Sequence, residues 1–411
     1  MDSTILQQEH KATGSLYGWV LFAICFISGV FGGVTSTLMS VYLPVAVKDL
    51  LPDAGQDQTD QIAATINSVF ILGWMFGGFS WGYVCDKAGR KWSVILSTAC
   101  IGIFTLATAF APGWTWVAVC RFFSGFGVGG VLVTTAIHIA ETWSDKNRAI
   151  ALGILSITIP VGIFSTGVIE YFVTDWRQAF YAGLFPVVLA LISIKVIKES
   201  VSWEKTKDAA GQNESRRSLF RKDIRKDLLL ACLIFGTMLI GLWAVLAWLP
   251  TWVQSLVTGT DAQHERGISM MLFAAGGLTG GLVSGWITNA IGVRRCMLIC
   301  FAGCFILSYF LFRMQTTIAM PAYAGMVLIA LFIGISQGAL TVYIPELFPV
   351  EVRGAATGFC FNVGRLFTAT AVFFVGSWAV LLGGYGQAIF YFSFVFLAGF
   401  ILTLFSGKEK Y

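Results

Sequence analysis

Charge is what this sequence has least of. Asp, Glu, Lys and Arg make up 12% of its 411 residues, about half the share of an ordinary soluble domain, so most of its surface cannot face water. Histidine occurs three times. No His or carboxylate cluster accompanies the nine cysteines, which argues against a metal centre. Cys296, Cys300 and Cys304 follow one another at helical spacing and read as small packing residues. A nucleophile, metal or paired-carboxylate constellation near the bilayer is also missing, so we expect neither an enzyme nor a cofactor. The polar first fifteen residues lack a cleavable-signal pattern, and the first apolar run is expected to stay as a membrane helix. No sizeable soluble domain is left over for signalling.

Apolar residues are what fills the space, at 56% of the chain with 15% aromatic. They form runs near the roughly 20 residues that cross a hydrocarbon core of about 30 Å as a helix. Spans are expected at 17–43, 61–84, 92–110, 116–140, 149–172 and 178–197, then at 228–256, 267–289, 295–313, 320–344, 354–380 and 386–406. The expected organisation is a cytoplasmic tail (1–16), a six-helix bundle (17–197), a cytoplasmic linker (198–227), a second six-helix bundle (228–406) and a short tail (407–411). The fold class is all-α integral membrane, with twelve transmembrane helices in two pseudo-symmetric halves.

Lysine and arginine are retained on the cytoplasmic side of membranes. With both termini cytoplasmic, Lys48, Arg177, Arg266 and Arg313 fall outside and Arg121 and Arg365 fall within helices, while the rest of the 27 lie in the tails and inner loops. A multi-pass protein of the inner (plasma) membrane, read as a monomer, is the expectation. The net charge of +5 is spread over these loops and does not point to nucleic acid. The linker, with Arg216, Arg217, Arg221, Lys222, Arg225 and Lys226, reads as a solvated segment with an amphipathic portion on anionic headgroups.

The chain also repeats itself. Glu141 and Arg148 recur as Glu346 and Arg353 at an offset of 205, and Gly82, Asp86 and Gly89 recur as Gly285, Asn289 and Gly292 at an offset of 203. Two halves with the same punctuation at the same loops fit parallel repeats that hold a substrate between them near the midplane.

The loop Gly82-Tyr-Val-Cys-Asp86-Lys87-Ala-Gly89-Arg90-Lys91 pairs turn-forming glycines with charges at helix ends. It resembles the signature loop of the major facilitator superfamily, G-x-x-x-D-x-x-G-R-K. The resemblance implies a cytoplasmic gate in which Asp86 engages a neighbouring helix end and Arg90 a carboxylate at the end of the fourth span, with Glu141, Arg148, Glu346 and Arg353 as its neighbours. Asn289 replaces the Asp in the second-half copy. A purely topological role for these charges is the alternative.

Arg121-Phe-Phe-Ser-Gly125-Phe-Gly127-Val-Gly129-Gly130 resembles the same superfamily's R-x-x-x-G-x-G-x-G motif. Small residues there let helices approach, and the arginine needs a partner or a wet cavity. Glu170, near the outer end of the fifth span, is the candidate partner, as a structural pair or in proton handling. Pro345-Glu346-Leu-Phe-Pro349-Val-Glu-Val-Arg353-Gly354, followed by Asn362-Val-Gly364-Arg365, is similar to the branch containing proton symporters for sialic acid, aromatic acids and other metabolites. Relatives of that branch carry aspartates in the first span and a carboxylate after the glycines of the fourth. Here those positions read Gly32-Gly33-Val34-Thr35 and Val131, so coupling would run through Glu170 and Arg121, through His138, or not at all.

Arg365 lies about eleven residues into its expected span with nothing acidic on that helix. A cation at that depth costs at least roughly 2.5 to 3.5 kcal/mol, and a substrate carboxylate held by its planar fork offsets this. Asn362, one turn away, adds a donor and an acceptor on nearly the same face. Anchoring of Arg365 to carbonyls or to Gln337 is the alternative. The helices that line the cavity in the resembling family add Thr35, Thr37, Thr135, His138, Trp243, Gln337 and Thr341 as candidates. The implied activity is alternating-access transport of a small organic anion, such as a sugar acid or another carboxylate metabolite, proton-coupled; a facilitator or exchanger for neutral sugars or drug-like solutes, without proton coupling, is the alternative.

Overall fold

The structure, a computed structural model, describes residues 16–143, 145–200, 203–204, 224–257, 261–348 and 353–405. The two tails and most of the expected linker thus lie outside the described residues. Those that are described form helices and the turns between them, with no strand among them.

Twelve helices are long and apolar enough to cross a membrane. We number them α1 (Leu16–Leu50), α2 (Gln56–Ala88), α3 (Arg90–Ala109), α4 (Trp114–Thr142), α5 (Ile150–Phe172), α6 (Trp176–Val196), α7 (Arg225–Leu256), α8 (Gln263–Ile291), α9 (Val293–Arg313), α10 (Met320–Pro345), α11 (Ala356–Ser377) and α12 (Tyr385–Phe405). Several run past their hydropathic cores. All four basic residues expected on the outer side are helical: Lys48 on α1, Arg177 on α6 and Arg266 on α8, each beyond its expected span, and Arg313 at the end of α9. Arg177 and Arg266 find acidic partners on neighbouring helices, which hydropathy alone does not register. Arg177, for example, pairs with Asp49 at 3.2 Å.

The repeat is visible in backbone geometry. Gly89 between α2 and α3 has φ 94°, and Gly292 between α8 and α9 has φ 84°. Side chains are disfavoured there, so the two tight turns require the glycines that the sequence repeats. Pro44 in α1 and Pro250 in α7 form a second matched pair.

Within the first half, α2 and α4 pack backbone to backbone. A Cβ at Gly73 would lie 2.0 Å from the Phe122 carbonyl oxygen, and one at Gly77 2.1 Å from that of Phe126. From the other side, a Cβ at Gly125 would meet the Phe70 carbonyl at 2.2 Å and one at Gly129 the Trp74 carbonyl at 2.4 Å. In lipid, apolar side chains gain little by leaving the solvent, so close van der Waals approach of this kind holds helices together. The halves meet along two seams. One packs α2 against α11 and α1 against α7, with α2 side chains also reaching α7 and α12, and the other joins α5 to α8.

Because there is no room for a Cβ at Gly129, Gly129→Ala is expected to destabilise the protein by about 1–3 kcal/mol through overpacking. Gly153, with nothing within 4 Å of its Cβ position, is the control, and Gly153→Ala is expected to be neutral or stabilising. Thermal unfolding of the purified variants, side by side, checks this.

Candidate functional site

The glycine contacts between α2 and α4 fix what α2 presents elsewhere. Phe70 and Trp74, one turn apart, stand with ring centroids 6.0 Å from each other. Arg121 of α4 places its guanidinium 3.9 Å from the Phe70 ring centroid. Its Nη1 donates to the Thr35 carbonyl of α1 at 2.6 Å. Trp74 meets Trp243 of α7 edge-on at 5.5 Å, and Arg365 of α11 places its guanidinium 5.0 Å from the same Trp74 ring. Two cations from different halves are therefore each covered by an aromatic ring of one helix, a favourable arrangement worth more when desolvated.

Arg365 spends little of its hydrogen-bonding capacity. Its Nη1 donates to the Phe361 carbonyl at 3.0 Å and to Asn362 Oδ1 at 3.1 Å, both on its own helix. Among the described residues no carboxylate lies within 4 Å of it. Asn362 Nδ2 donates to the Gly358 carbonyl at 2.9 Å, and the amide faces α2 at Gly78, where a Cβ would lie 2.1 Å from Asn362 Oδ1. Gln337 is not among the partners of Arg365, and its Nε2 is buried with no hydrogen-bond partner. Arg365, Asn362, Trp74 and Trp243 thus come together at the α2, α7 and α11 seam.

Other candidates are placed elsewhere. The Thr35 and Thr105 hydroxyls share a hydrogen bond at 3.1 Å, and Thr37 donates to the Thr166 hydroxyl at 3.0 Å. Both threonines are buried and join α1 to α3 and α5 inside the first half, so their hydroxyls are spent on helix packing. Thr135 donates to the Val131 carbonyl of its own helix, and Thr341, exposed, donates to that of Gly338. His138 is buried, with Nδ1 unpartnered.

The expected pairing of Arg121 with Glu170 does not form. Arg121 is held by carbonyls of α1, and Glu170 pairs instead with Arg266 of α8, whose Nη2 lies 2.6 Å from Glu170 Oε1. Both side chains are fully buried, at 1% and 0% exposure. Arg266 Nη1 also meets Asp261 at 2.5 Å and Gln254, and Gln263 donates to the Glu170 carbonyl at 2.8 Å. The pairing follows from close approach, since α5 and α8 cross at Gly167 and Gly267, where a Cβ on either would lie 2.6 to 2.8 Å from the other's carbonyl oxygen.

On the face that carries the α2–α3 turn, Arg90 is the centre of a network. Its Nε and Nη2 meet Glu141 at 2.9 and 2.8 Å, and its Nη1 lies 3.3 Å from Asp86. Ser200 donates to Glu141 at 2.5 Å, and Glu199 accepts from the backbone N–H groups of Arg90 at 2.7 Å and Lys91 at 3.1 Å. Trp203 Nε1 donates to the Asp86 carbonyl at 2.8 Å. Arg148 is half-buried on this face, and the side chains of Glu346 and Arg353 lie outside the described residues. No three or more His, Cys, Asp or Glu residues group to hold a metal ion among the described residues.

Residues 21–372 match the family model of the Major Facilitator Superfamily. The chain belongs to that family. It is 28% identical over 359 residues to a sialic acid transporter of Escherichia coli, covering 84% of this chain and 85% of the other. It is 26% identical over 373 residues to a cis,cis-muconate transport protein of Acinetobacter baylyi, covering 85% and 86%, and 25% identical over 330 residues to a probable 4-methylmuconolactone transporter of Cupriavidus pinatubonensis, covering 77% and 75%. Among solved structures it is similar to a D-xylose-proton symporter, with a TM-score of 0.79 at 16% identity over 96% of this chain and 98% of that one. The major facilitator fold is thereby shown, and the protein is a membrane transporter.

Within this superfamily fold, several site residues escaped sequence reading. Glu199, Ser200 and Trp203 are hidden in a charge run that reads as solvated linker. Their described portion instead docks on the Arg90 network. Phe70 and Trp74 are recognisable only by their i, i+4 spacing opposite the α4 glycines.

Removing one partner of a buried ion pair costs about 3–5 kcal/mol. Glu170→Gln is expected to fall near the lower end, because Asp261 remains beside Arg266. Asp261→Asn, at a carboxylate 43% exposed, is expected to cost much less. Unfolding midpoints that rank the two variants the other way round would count against this account of the seam.

Proposed function

We propose that the protein transports a small organic anion bearing a carboxylate, by alternating access between its two halves. The observation that carries this reading is Arg365. It sits within α11 with no carboxylate partner among the described residues, held only by acceptors of its own helix and by the Trp74 ring. A permanent cation so placed accepts an anion that comes and goes, and a guanidinium is suited to a carboxylate by its planar fork. Two of the relatives named above carry carboxylic acids by their names, sialic acid and muconate, which supports an acid as the cargo. Asn362 supplies a second polar contact, and Trp74 and Trp243 a flat apolar wall beside it.

The basic residues put the face with Arg90, Glu141 and Glu199 in the cytoplasm together with both termini, which makes the Glu170–Arg266 side the outer one. In this orientation the described polar contacts between halves lie at the outer side or near the midplane, while those of the Arg90 network stay within the first half. Asp86, Arg90, Glu141 and Arg148, with Glu346 and Arg353, form the cytoplasmic gate. A sugar acid such as sialic acid is the finer substrate reading, and uptake is coupled to protons.

Purified protein is expected to gain thermal stability with sugar acids or unsaturated carboxylic acids and not with uncharged sugars or organic cations. Arg365→Ala is expected to lose that gain and to weaken carboxylate binding roughly 10- to 100-fold, the worth of a hydrogen bond to a charged group. Stabilisation by carboxylates that survives in Arg365→Ala would overturn the role given to Arg365. For the coupling, uptake into proteoliposomes is expected to accelerate when the outside is made acid. Equal rates with and without the gradient remove proton symport.

A further inference from the structure

On the outer side the halves line a cleft of about 700 Å³, whose polar lining includes Lys48, Gln56, Asp60, Thr251, Gln254 and Tyr385. Asp60 belongs to the first turns of α2 and is 3% exposed. Its Oδ1 accepts from Gln56 Nε2 at 2.9 Å and from the Tyr385 hydroxyl, the latter across the seam between the halves. Tyr385 is itself stacked on Trp248 of α7, with centroids 5.4 Å apart. Just below, Asn67 Nδ2 donates to the Ala247 carbonyl at 3.4 Å. The Asp60–Tyr385 bond thus forms when the outer ends are closed and is lost when they part.

The other oxygen, Oδ2, is buried with no hydrogen-bond partner, and so is the Thr251 hydroxyl on the same cleft. Among the described residues no Lys, Arg or His nitrogen lies within 4 Å of the Asp60 carboxylate. Nearby charges do not supply a counter-ion. Asp57 on the same helix is acidic, Asp261 is held by Arg266, and Lys48 lines the cleft without pairing with Asp60. The outer halves of α7 and α11 contain no titratable residue, and that of α12 offers only two tyrosines, Tyr385 and the exposed Tyr391, neither of them a cation. Closing the outer gate therefore buries a carboxylate that lacks both a partner for one oxygen and a neutralising charge, which is costly unless something occupies the site.

We propose that Asp60 is a cation-binding site of the outer gate, where a proton or an alkali cation bound at Oδ2 stabilises the outer-closed form. Opening separates Asp60 from Tyr385 and hydrates it, so the cation leaves to the outside. Because binding and closure are linked, each favours the other by the same factor. The inference rests on the alternating-access reading but not on the identity of the cargo.

The test reads gate closure instead of uptake, so that its failure and that of the carboxylate reading are distinguishable. Spin labels on Asp53→Cys and Thr316→Cys, exposed positions in outer loops of the two halves, report the outer distance in proteoliposomes. One arm lowers the pH from about 8 to about 5.5 without sodium, spanning the range in which a buried carboxylate titrates. The other replaces choline with sodium at the higher pH. In one arm the closed population is expected to rise in the wild type, which also identifies the cation. In Asp60→Asn, neutral already, the population is expected to be closed and unresponsive. Tyr385→Phe keeps the carboxylate and is expected to retain the response from a more open starting point, which covers an Asp60→Asn variant that fails to fold. Closure that ignores both cations in the wild type, or a full response surviving in Asp60→Asn, or a response absent from Tyr385→Phe, overturns the proposal.

Discussion

The approach of α2 to α4 is the constraint on which the rest of this structure depends. Four glycines, Gly73 and Gly77 on one helix and Gly125 and Gly129 on the other, leave no room for a Cβ, and each sits against a carbonyl of the opposing backbone. That contact sets the rotation of α2 about its axis. With the rotation fixed, Phe70 lies under Arg121, Trp74 reaches Trp243 and Arg365 in the other half, and Gly78 receives the amide of Asn362. A bulkier residue at any of the four would move the aromatic pair and so displace the covers of both arginines. The R-x-x-x-G-x-G-x-G pattern is thus a packing device first, and a site-forming one by consequence.

The arginines inside the spans then divide by how they are satisfied. Arg121 is spent on α1 carbonyls and an aromatic face, which makes it a fixed strut of the first half. Arg266 is neutralised by Glu170 in the opposing half and by Asp261 in its own. That pair joins the halves at α5 and α8, whereas the α2 seam is closed by lighter bonds, a tyrosine hydroxyl on Asp60 and an asparagine amide on a carbonyl. Arg365 alone of the three has its charge unmatched by a carboxylate or by carbonyls of another helix. It also belongs to one half only, since Pro160 stands at the equivalent repeat position. The site built around it is asymmetric within a nearly symmetric frame.

The face with Arg90 shows how a charge network can be assembled from unremarkable parts. Gly89, with its positive φ, exposes the first N–H groups of α3, and a helix start left open in this way attracts an anion. Glu199 fills that role from the far end of α6, and Ser200 and Trp203 follow it onto Glu141 and Asp86. The connection between the halves therefore begins bound to the Arg90 network.

The sequence alone determined the number of helices, their repeat and the residue types at their turns, because apolar length, basic bias and glycine spacing are properties of contiguous segments. It also singled out Arg365 and Asn362, since a cation deep in an apolar run is conspicuous without coordinates, and it matched Arg90 with Glu141 through the family resemblance. What it could not supply was the choice among partners. Glu170 and Arg121 lie at similar depth in the sequence, yet depth along one axis leaves rotation about each helix undetermined, and Arg266 falls just before an apolar run that α8 extends past. Thr35 and Thr37, likewise cavity candidates by sequence, face α3 and α5 instead. Which side of a helix meets which neighbour depends on contacts between segments a hundred or more residues apart, and those only the tertiary structure decides.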